Sequence, residues 1–296
     1  MSILDKLIPD VYLVGAAKSG TSGLAYLLSE HPSINVGKNK EPEYFSFCEN
    51  FEKGESWYLN NYKDAKQEQT IIDASTGYSR YPEYPDVAKR IHDFNPDAKI
   101  IFLLRHPVDR AYSHYIHRYS KELFPDKPFE GTFSSFIERE PMVVNSSNYK
   151  LQIQQYLKYF DKSSILVIFT DEMNSNLSGM LTNVCDFLLI DAYEVTPIQI
   201  VKNDTDGYLA SRARVKFTNN LNQYIVFRLL RAFFSKRLKN FIFSVISSTM
   251  IFKKVKAQFE PPKLTKEERQ MLIMKFKKSN AWVEEFSRTK LPKWDK

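Results

Sequence analysis

The chain has 296 residues, of which 43% are hydrophobic and 14% aromatic, enough apolar material to fill a sizeable core and to exclude a disordered or fibrous protein. Lys and Arg number 42 against 35 Asp and Glu, a formal charge of +7 that favours an anionic ligand or surface without choosing between them. Two cysteines, Cys48 and Cys185, are too few for a disulfide-stabilised secreted chain of this size, so a reduced, cytoplasmic compartment is expected.

The first element is the apolar run Val11–Gly15 (VYLVG), which reads as a buried strand ending in glycine. Apolar positions then recur at helical spacing over Ser22–Ser29 until His31-Pro32 stops them. Between the two lies Gly15-Ala16-Ala17-Lys18-Ser19-Gly20-Thr21-Ser22, at a strand-to-helix turn where backbone amides and the helix dipole favour a phosphate. Gly15 and Gly20 let the backbone curl around an anion, Lys18 neutralises it, and the hydroxyls of Ser19, Thr21 and Ser22 donate to it. This is not a nucleoside triphosphate loop, because Thr21 stands directly after the second glycine, where that motif needs lysine. A tight turn with an exposed lysine is the alternative for the segment taken alone. An acid and a proline interrupt the residues before it, so no cleavable leader is expected, and no window is long and apolar enough for a transmembrane helix.

A second apolar run, Thr70–Ala74, precedes the loop STGYSRYP and a helical stretch, Val87–Phe94, that stops at Asn95-Pro96. A third, Lys99–Leu104 (KIIFLL), leads through Arg105-His106 to a helix with Pro107 at its first position. Arg105 at a strand's carboxyl end and Ser113 about two helical turns into the next helix make a suitable pair for a terminal phosphate. Asp109 or Asp73 as a surface ion-pair partner of Arg105 is the competing explanation. Tyr149–Phe160 reads as helix, Ser164–Phe169 (SILVIF) as a fourth buried strand, and Leu177–Leu188 as helix. Doubly buried runs alternating with helices predict an α/β fold, a parallel sheet flanked by helices. With no repeat and no linker, one domain over 1–296 with a helical C-terminal elaboration is the simplest organisation.

The displaced lysine of the first loop, together with the later pattern strand, Arg105, Pro107, helix, Ser113, resembles the sulfotransferases that use 3′-phosphoadenosine 5′-phosphosulfate (PAPS), in motif pattern the heparan sulfate (3-O/N)-type enzymes and their bacterial relatives. The resemblance implies the P-loop-like sulfotransferase fold and PAPS as co-substrate, with no metal required. It places Ala17, Lys18, Ser19, Gly20, Thr21 and Ser22 on the 5′-phosphosulfate, Arg105 and Ser113 on the 3′-phosphate, and Lys18 at the bridging oxygen. Lys40-Glu41-Pro42-Glu43-Tyr44-Phe45, with Gly54 and Trp57-Tyr58, resembles the acceptor-side segment of the heparan-type enzymes, and Glu41 falls on their catalytic glutamate. Glu43 stands where they have histidine, and Ala74 where they often have lysine, so a heparan acceptor specifically is not implied. The resemblance extends to the terminal EEFSRTKLPKW.

The activity implied is transfer of a sulfuryl group to a hydroxyl or amine of an acceptor such as a carbohydrate or lipid-linked glycan, with Glu41 as base. His31, His92, His106, His114 and His117 are rival bases, read as structural or exposed. Lys202, Arg212 and Arg214 are further candidate cations for the 3′-phosphate. The basic, Phe-rich stretch at 220–260 suits peripheral membrane contact through 221–256, or a helical hairpin in the core. No nucleic-acid partner is expected. The rivals are a nucleotide kinase, in which Asp73 would imitate a magnesium-binding strand end, and a non-catalytic protein that binds membrane or nucleic acid through the basic stretch.

Overall fold

Short apolar runs separated by helices can satisfy their backbones only beside one another, and here they do so in parallel. The computed structural model describes residues 7–123, 127, 129–193, 259–291 and 294. The basic stretch at 220–260, except its last two residues, and Lys202, Arg212 and Arg214 lie outside them. Among the described residues the strands are β1 (Val11–Gly15), β2 (Ile34–Asn35), β3 (Thr70–Asp73), β4 (Lys99–Leu104) and β5 (Ile165–Phe169). They form one parallel sheet in the order β2-β3-β1-β4-β5. Every residue of β1 is buried, as are all of β4 after Lys99, as strands covered on both faces require. β2 is absent from the sequence reading. It is two residues pairing with Thr70 and Ile71, too short for any periodicity to show.

The helices signalled in the sequence are present, and shorter ones arise in segments read there as loops, too short for helical periodicity to show. α1 (Thr21–Ser29) begins one residue before the expected start. After α2 (Cys48–Phe51) and α3 (Glu55–Leu59), α4 (Val87–Phe94) has the expected limits, with Asn95-Pro96 ending it. α5 (Pro107–His117) starts on its proline. α6 (Phe133–Arg139) and α7 (Met142–Asn145) lead to α8 (Tyr149–Tyr156), which ends short of Phe160; Tyr156 O accepts from the amides of both Tyr159 and Phe160. α9 (Thr170–Ser175) and α10 (Leu177–Leu188) follow β5, and Asn176 caps the second of them by accepting from Gly179 N. α11 (Lys266–Ser287) opens on a reciprocal cap between Thr265 and Glu268 and packs on α8, where Lys150 N donates to Ser279 Oγ at 3.1 Å. No described helix is long and apolar enough to cross a membrane.

The chain divides into two compact units. The first, residues 1–114, 137–199 and 265–296, holds the sheet. The second, Tyr115–Phe136 and Ile200–Leu264, shows in its described part a cluster of Tyr115, Tyr119, Phe129, Phe133 and Phe136 packed edge to face and stacked.

The core of the first unit is rich in tyrosine, with Tyr44 stacked on Tyr58 at 4.4 Å between ring centroids. A phenol buried this deeply needs a partner, and Asp73 supplies it. Fully enclosed at the end of β3, Asp73 accepts from Tyr58 Oη at 2.7 Å, Tyr78 Oη at 2.9 Å and Ser75 Oγ at 2.6 Å. Burial outweighs these three donors and raises its carboxyl pKa to about 6. The folded state therefore holds a proton that the unfolded chain has already released between about pH 4 and pH 6, and stability falls as pH rises through that window. Asp73→Asn removes this contribution. Urea unfolding at pH 4 and pH 7.5 is expected to show the asparagine variant gaining on the wild type by up to about 3 kcal/mol as pH rises; a constant difference between the two would contradict it.

Candidate active site

With strand order 2-3-1-4-5, the chain moves to one side of β1 and then to the other, so the topological switch lies between β1 and β4. The crevice outside the carboxyl ends of those strands is where open α/β sheets bind ligands. Gly15 ends β1 there, with φ of 151° and Ser79 Oγ so close that a Cβ would come within 2.0 Å of it. From Gly15 the chain enters the loop Ala16–Gly20, in which Lys18 (φ 72°) and Gly20 (φ 99°) are both left-handed.

Side chains from other elements hold the loop by three of its carbonyls. Its carbonyls at Ala17, Lys18 and Ser19 accept in turn from Arg110 Nη1 at 3.2 Å, Arg105 Nη1 at 3.3 Å and Thr170 Oγ1 at 2.6 Å. Ala16 is fixed to β4 by its N–H on Leu103 O at 2.8 Å. Within the loop the Ser19 amide is turned back onto Ala16 O at 3.1 Å. The first bond of α1 runs from Leu24 N to Gly20 O and Gly20 offers no side-chain cap, so the amides of Thr21, Ser22 and Gly23 are the open donors of a helix N-terminus. This is a nest for an anion, with Lys18 half-buried beside it, Ser19 and Thr21 buried and Ser22 at the surface.

Arg105 follows β4 directly and stands beside the loop, and Ser113 lies half-buried on α5. Neither carboxylate considered as a partner for Arg105 engages it. Asp109 pairs with Arg269 at 2.8 Å, and Asp73 is enclosed by its tyrosines and Ser75. The guanidinium thus keeps donors for a ligand.

Glu41 and Glu43 reach the same edge through the 3-10 turn Thr76–Ser79, which packs against β1. Glu41 has φ of 60° and a side chain 40% exposed; it pairs with Lys40 and accepts from Thr76 Oγ1 at 3.4 Å. Glu43, φ 50°, turns inward instead, accepting from Ser46 Oγ and from Gly77 N at 2.9 Å, and burial pushes its carboxyl above the usual range. Helix C-caps at Leu189 and Arg288 aside, Lys18, Glu41 and Glu43 are the left-handed non-glycine residues among those described. Backbone strain of this kind, of order 1–3 kcal/mol each, gathers at functional sites. Beside Glu41 opens a cleft of about 360 Å³, lined by Lys38, Asn39, Asn50, Trp57 and Asn61 among others.

The family model described as the sulfotransferase domain matches residues 8–206. The chain belongs to the sulfotransferase family. Among curated relatives, human heparan sulfate glucosamine 3-O-sulfotransferase 6 is 29% identical over 208 residues, 68% of this chain and 57% of that protein. Mouse heparan sulfate glucosamine 3-O-sulfotransferase 5 is 25% identical over 221 residues, 72% of this chain and 62% of its own length. The chain thus spans less than two thirds of these relatives. A solved sulfotransferase from Alicyclobacillus acidocaldarius superposes with a TM-score of 0.65 at 23% identity, covering 97% of this chain and 99% of that one, and shares the fold.

In this chain the loop and Arg105 stand at the carboxyl ends of β1 and β4, Glu41 lies against the turn that packs on β1, and Ser113 lies on the helix that follows Arg105. Arg110 and Thr170 went unnoticed in the sequence. Thr170 was discoverable as the residue after a buried strand, by the rule that singled out Arg105; Arg110 was discoverable only as the helix position three before Ser113. Of the rival bases, His31 bonds Asp191 O and Ser33 N, and His114 Nδ1 faces Arg110. The burial of Asp73 removes it as the magnesium ligand that a kinase would need.

Proposed function

We propose that this sulfotransferase moves the sulfuryl group of PAPS to a hydroxyl of a glycan acceptor. The observation that carries the reading is the loop whose three consecutive carbonyls are anchored by Arg110, Arg105 and Thr170 and which leads, at the switch point, into the open amides of Thr21, Ser22 and Gly23 with Lys18 beside them. The 5′-phosphosulfate lies on the amides at the start of α1, and the 3′-phosphate takes Arg105 and the Ser113 hydroxyl. The motif match to PAPS-dependent relatives supports the same assignment of Ala17 to Ser22, Arg105 and Ser113.

Glu41 removes the acceptor's proton as the acceptor oxygen bonds to sulfur. The bond from sulfur to the bridging oxygen breaks, and adenosine 3′,5′-bisphosphate leaves with the new charge on its 5′-phosphate, stabilised by Lys18. The acceptor occupies the cleft beside Glu41, whose asparagines and Trp57 suit a polyhydroxylated ring. Glycan acceptors are supported by relatives named for heparan sulfate glucosamine, while buried Ala74, in place of a lysine, speaks against heparan itself. Two free cysteines, Cys48 and Cys185, support a cytoplasmic setting.

Sulfur-35-labelled PAPS offered with neutral oligosaccharides, heparan fragments and simple phenols tests the reading. Label is expected on a glycan at neutral pH without added magnesium. Transfer only to phenols would overturn the acceptor class, and transfer to nothing in the presence of glycans that bind would overturn the chemistry.

A further inference from the structure

Arg110 is 0% exposed, and its nitrogens meet no carboxylate: Nε donates to Ser147 Oγ, Nη1 donates to Ala17 O and lies 3.0 Å from His114 Nδ1, and Nη2 donates to Val143 O. No carboxylate among the described residues forms an ion pair with it. Burial lowers its pKa to about 10, the buried Tyr149 hydroxyl acts against this, and Arg80 and Arg105, of its own sign, push it further down, so it is still charged at neutral pH. Hydrogen bonds to carbonyls satisfy a guanidinium's donors but leave its charge uncompensated, and buried charges in proteins are paired as a rule.

The position of this charge is specific. One bond of Arg110 grips the back of the phosphate loop at Ala17. Arg110 is itself on α5, the helix that carries Ser113, and its bond to Ser147, which donates to Pro107 O at 2.9 Å, braces the start of that helix. A single side chain therefore ties the loop expected to hold the 5′-phosphosulfate to the helix expected to hold the 3′-phosphate. Arg110 and Arg105 thus each bond a carbonyl of the loop that carries Lys18.

We propose that Arg110 is a positioning residue whose counter-ion is the bound nucleotide: its buried charge draws the polyanion in, and its bond to Ala17 O fixes the loop that leads into the open amides of α1. The inference rests on the PAPS reading above. It predicts that affinity depends on Arg110 in proportion to ligand charge, which a purely architectural side chain would not show.

Calorimetric titration of adenosine 3′,5′-bisphosphate and of adenosine 5′-monophosphate, at two salt concentrations, on wild type, Arg110→Met and Arg110→Lys, tests this. Arg110→Met is expected to raise the Kd of the bisphosphate by about tenfold or more, to raise that of the monophosphate by a distinctly smaller factor, and to flatten the salt dependence. Arg110→Lys keeps the charge with fewer bonds, and its bisphosphate Kd is expected to stay within about threefold of wild type. Unchanged affinity in folded Arg110→Met, or the same factor for both nucleotides, overturns the proposal. Where Arg110→Met does not fold, Arg110→Lys decides, and a loss of about tenfold or more in the folded variant overturns it. A wild type that fails to bind the bisphosphate overturns the PAPS reading first and this inference with it, an outcome distinct from the others.

Discussion

Glu41→Gln is expected to lower kcat for sulfuryl transfer by about 10²- to 10⁴-fold while leaving the Kd for adenosine 3′,5′-bisphosphate unchanged. The carboxylate is half-exposed beside the cleft proposed for the acceptor, held in a left-handed backbone and steadied by Lys40 and Thr76. Glutamine fits the same space and can still accept from Thr76 Oγ1, but it cannot take a proton. Its inward-facing neighbour Glu43, closed in by Ser46 and the amide of Gly77, has no access to an acceptor and cannot substitute. Steady-state kinetics with a transferable acceptor and calorimetry with the bisphosphate separate the two effects. A Glu41→Gln enzyme with near wild-type kcat would remove Glu41 as the base.

Lys18→Ala is expected to lower kcat by about 10²- to 10³-fold, the size of losing one preorganised group that meets developing charge on the leaving oxygen. The substitution leaves the left-handed strain of position 18 in place, since alanine and lysine both carry a Cβ there. Its main-chain carbonyl, which anchors Arg105, is retained as well. Stability should therefore change little, and binding of the bisphosphate only severalfold. A loss of bisphosphate affinity as large as the loss of kcat would instead make Lys18 a ground-state ligand without a special part in the transition state.

What could be read in the sequence and what could not differ in the distance over which each signal acts. VYLVG and KIIFLL announce doubly buried strands by composition alone, and Asn95-Pro96 stops α4 where it stands. The Lys18 loop and Arg105 are legible because each is defined by its own strand's end. β2 is not, because two residues joined to Thr70 and Ile71 have no pattern of their own. Arg110 meets the loop across 93 positions and Thr170 across 151, contacts created by the strand order rather than by spacing. The inward turn of Glu43 likewise depends on Gly77, 34 positions away, at which a Cβ would meet Glu43 Oε2 at 2.1 Å.

The central claim is that the crevice between β1 and β4 is built for a nucleotide with phosphates at both its 3′ and 5′ ends. Magnesium-free calorimetric titration of adenosine 3′,5′-bisphosphate, adenosine 5′-monophosphate and ATP, on wild type and Arg105→Ala, tests it most directly. Roughly micromolar binding of the bisphosphate is expected, with at least about tenfold weaker binding of the other two and a loss of about 1.5–3 kcal/mol for the bisphosphate in Arg105→Ala, a charge-assisted contact removed. Equal binding of all three nucleotides, or binding indifferent to Arg105, would contradict it.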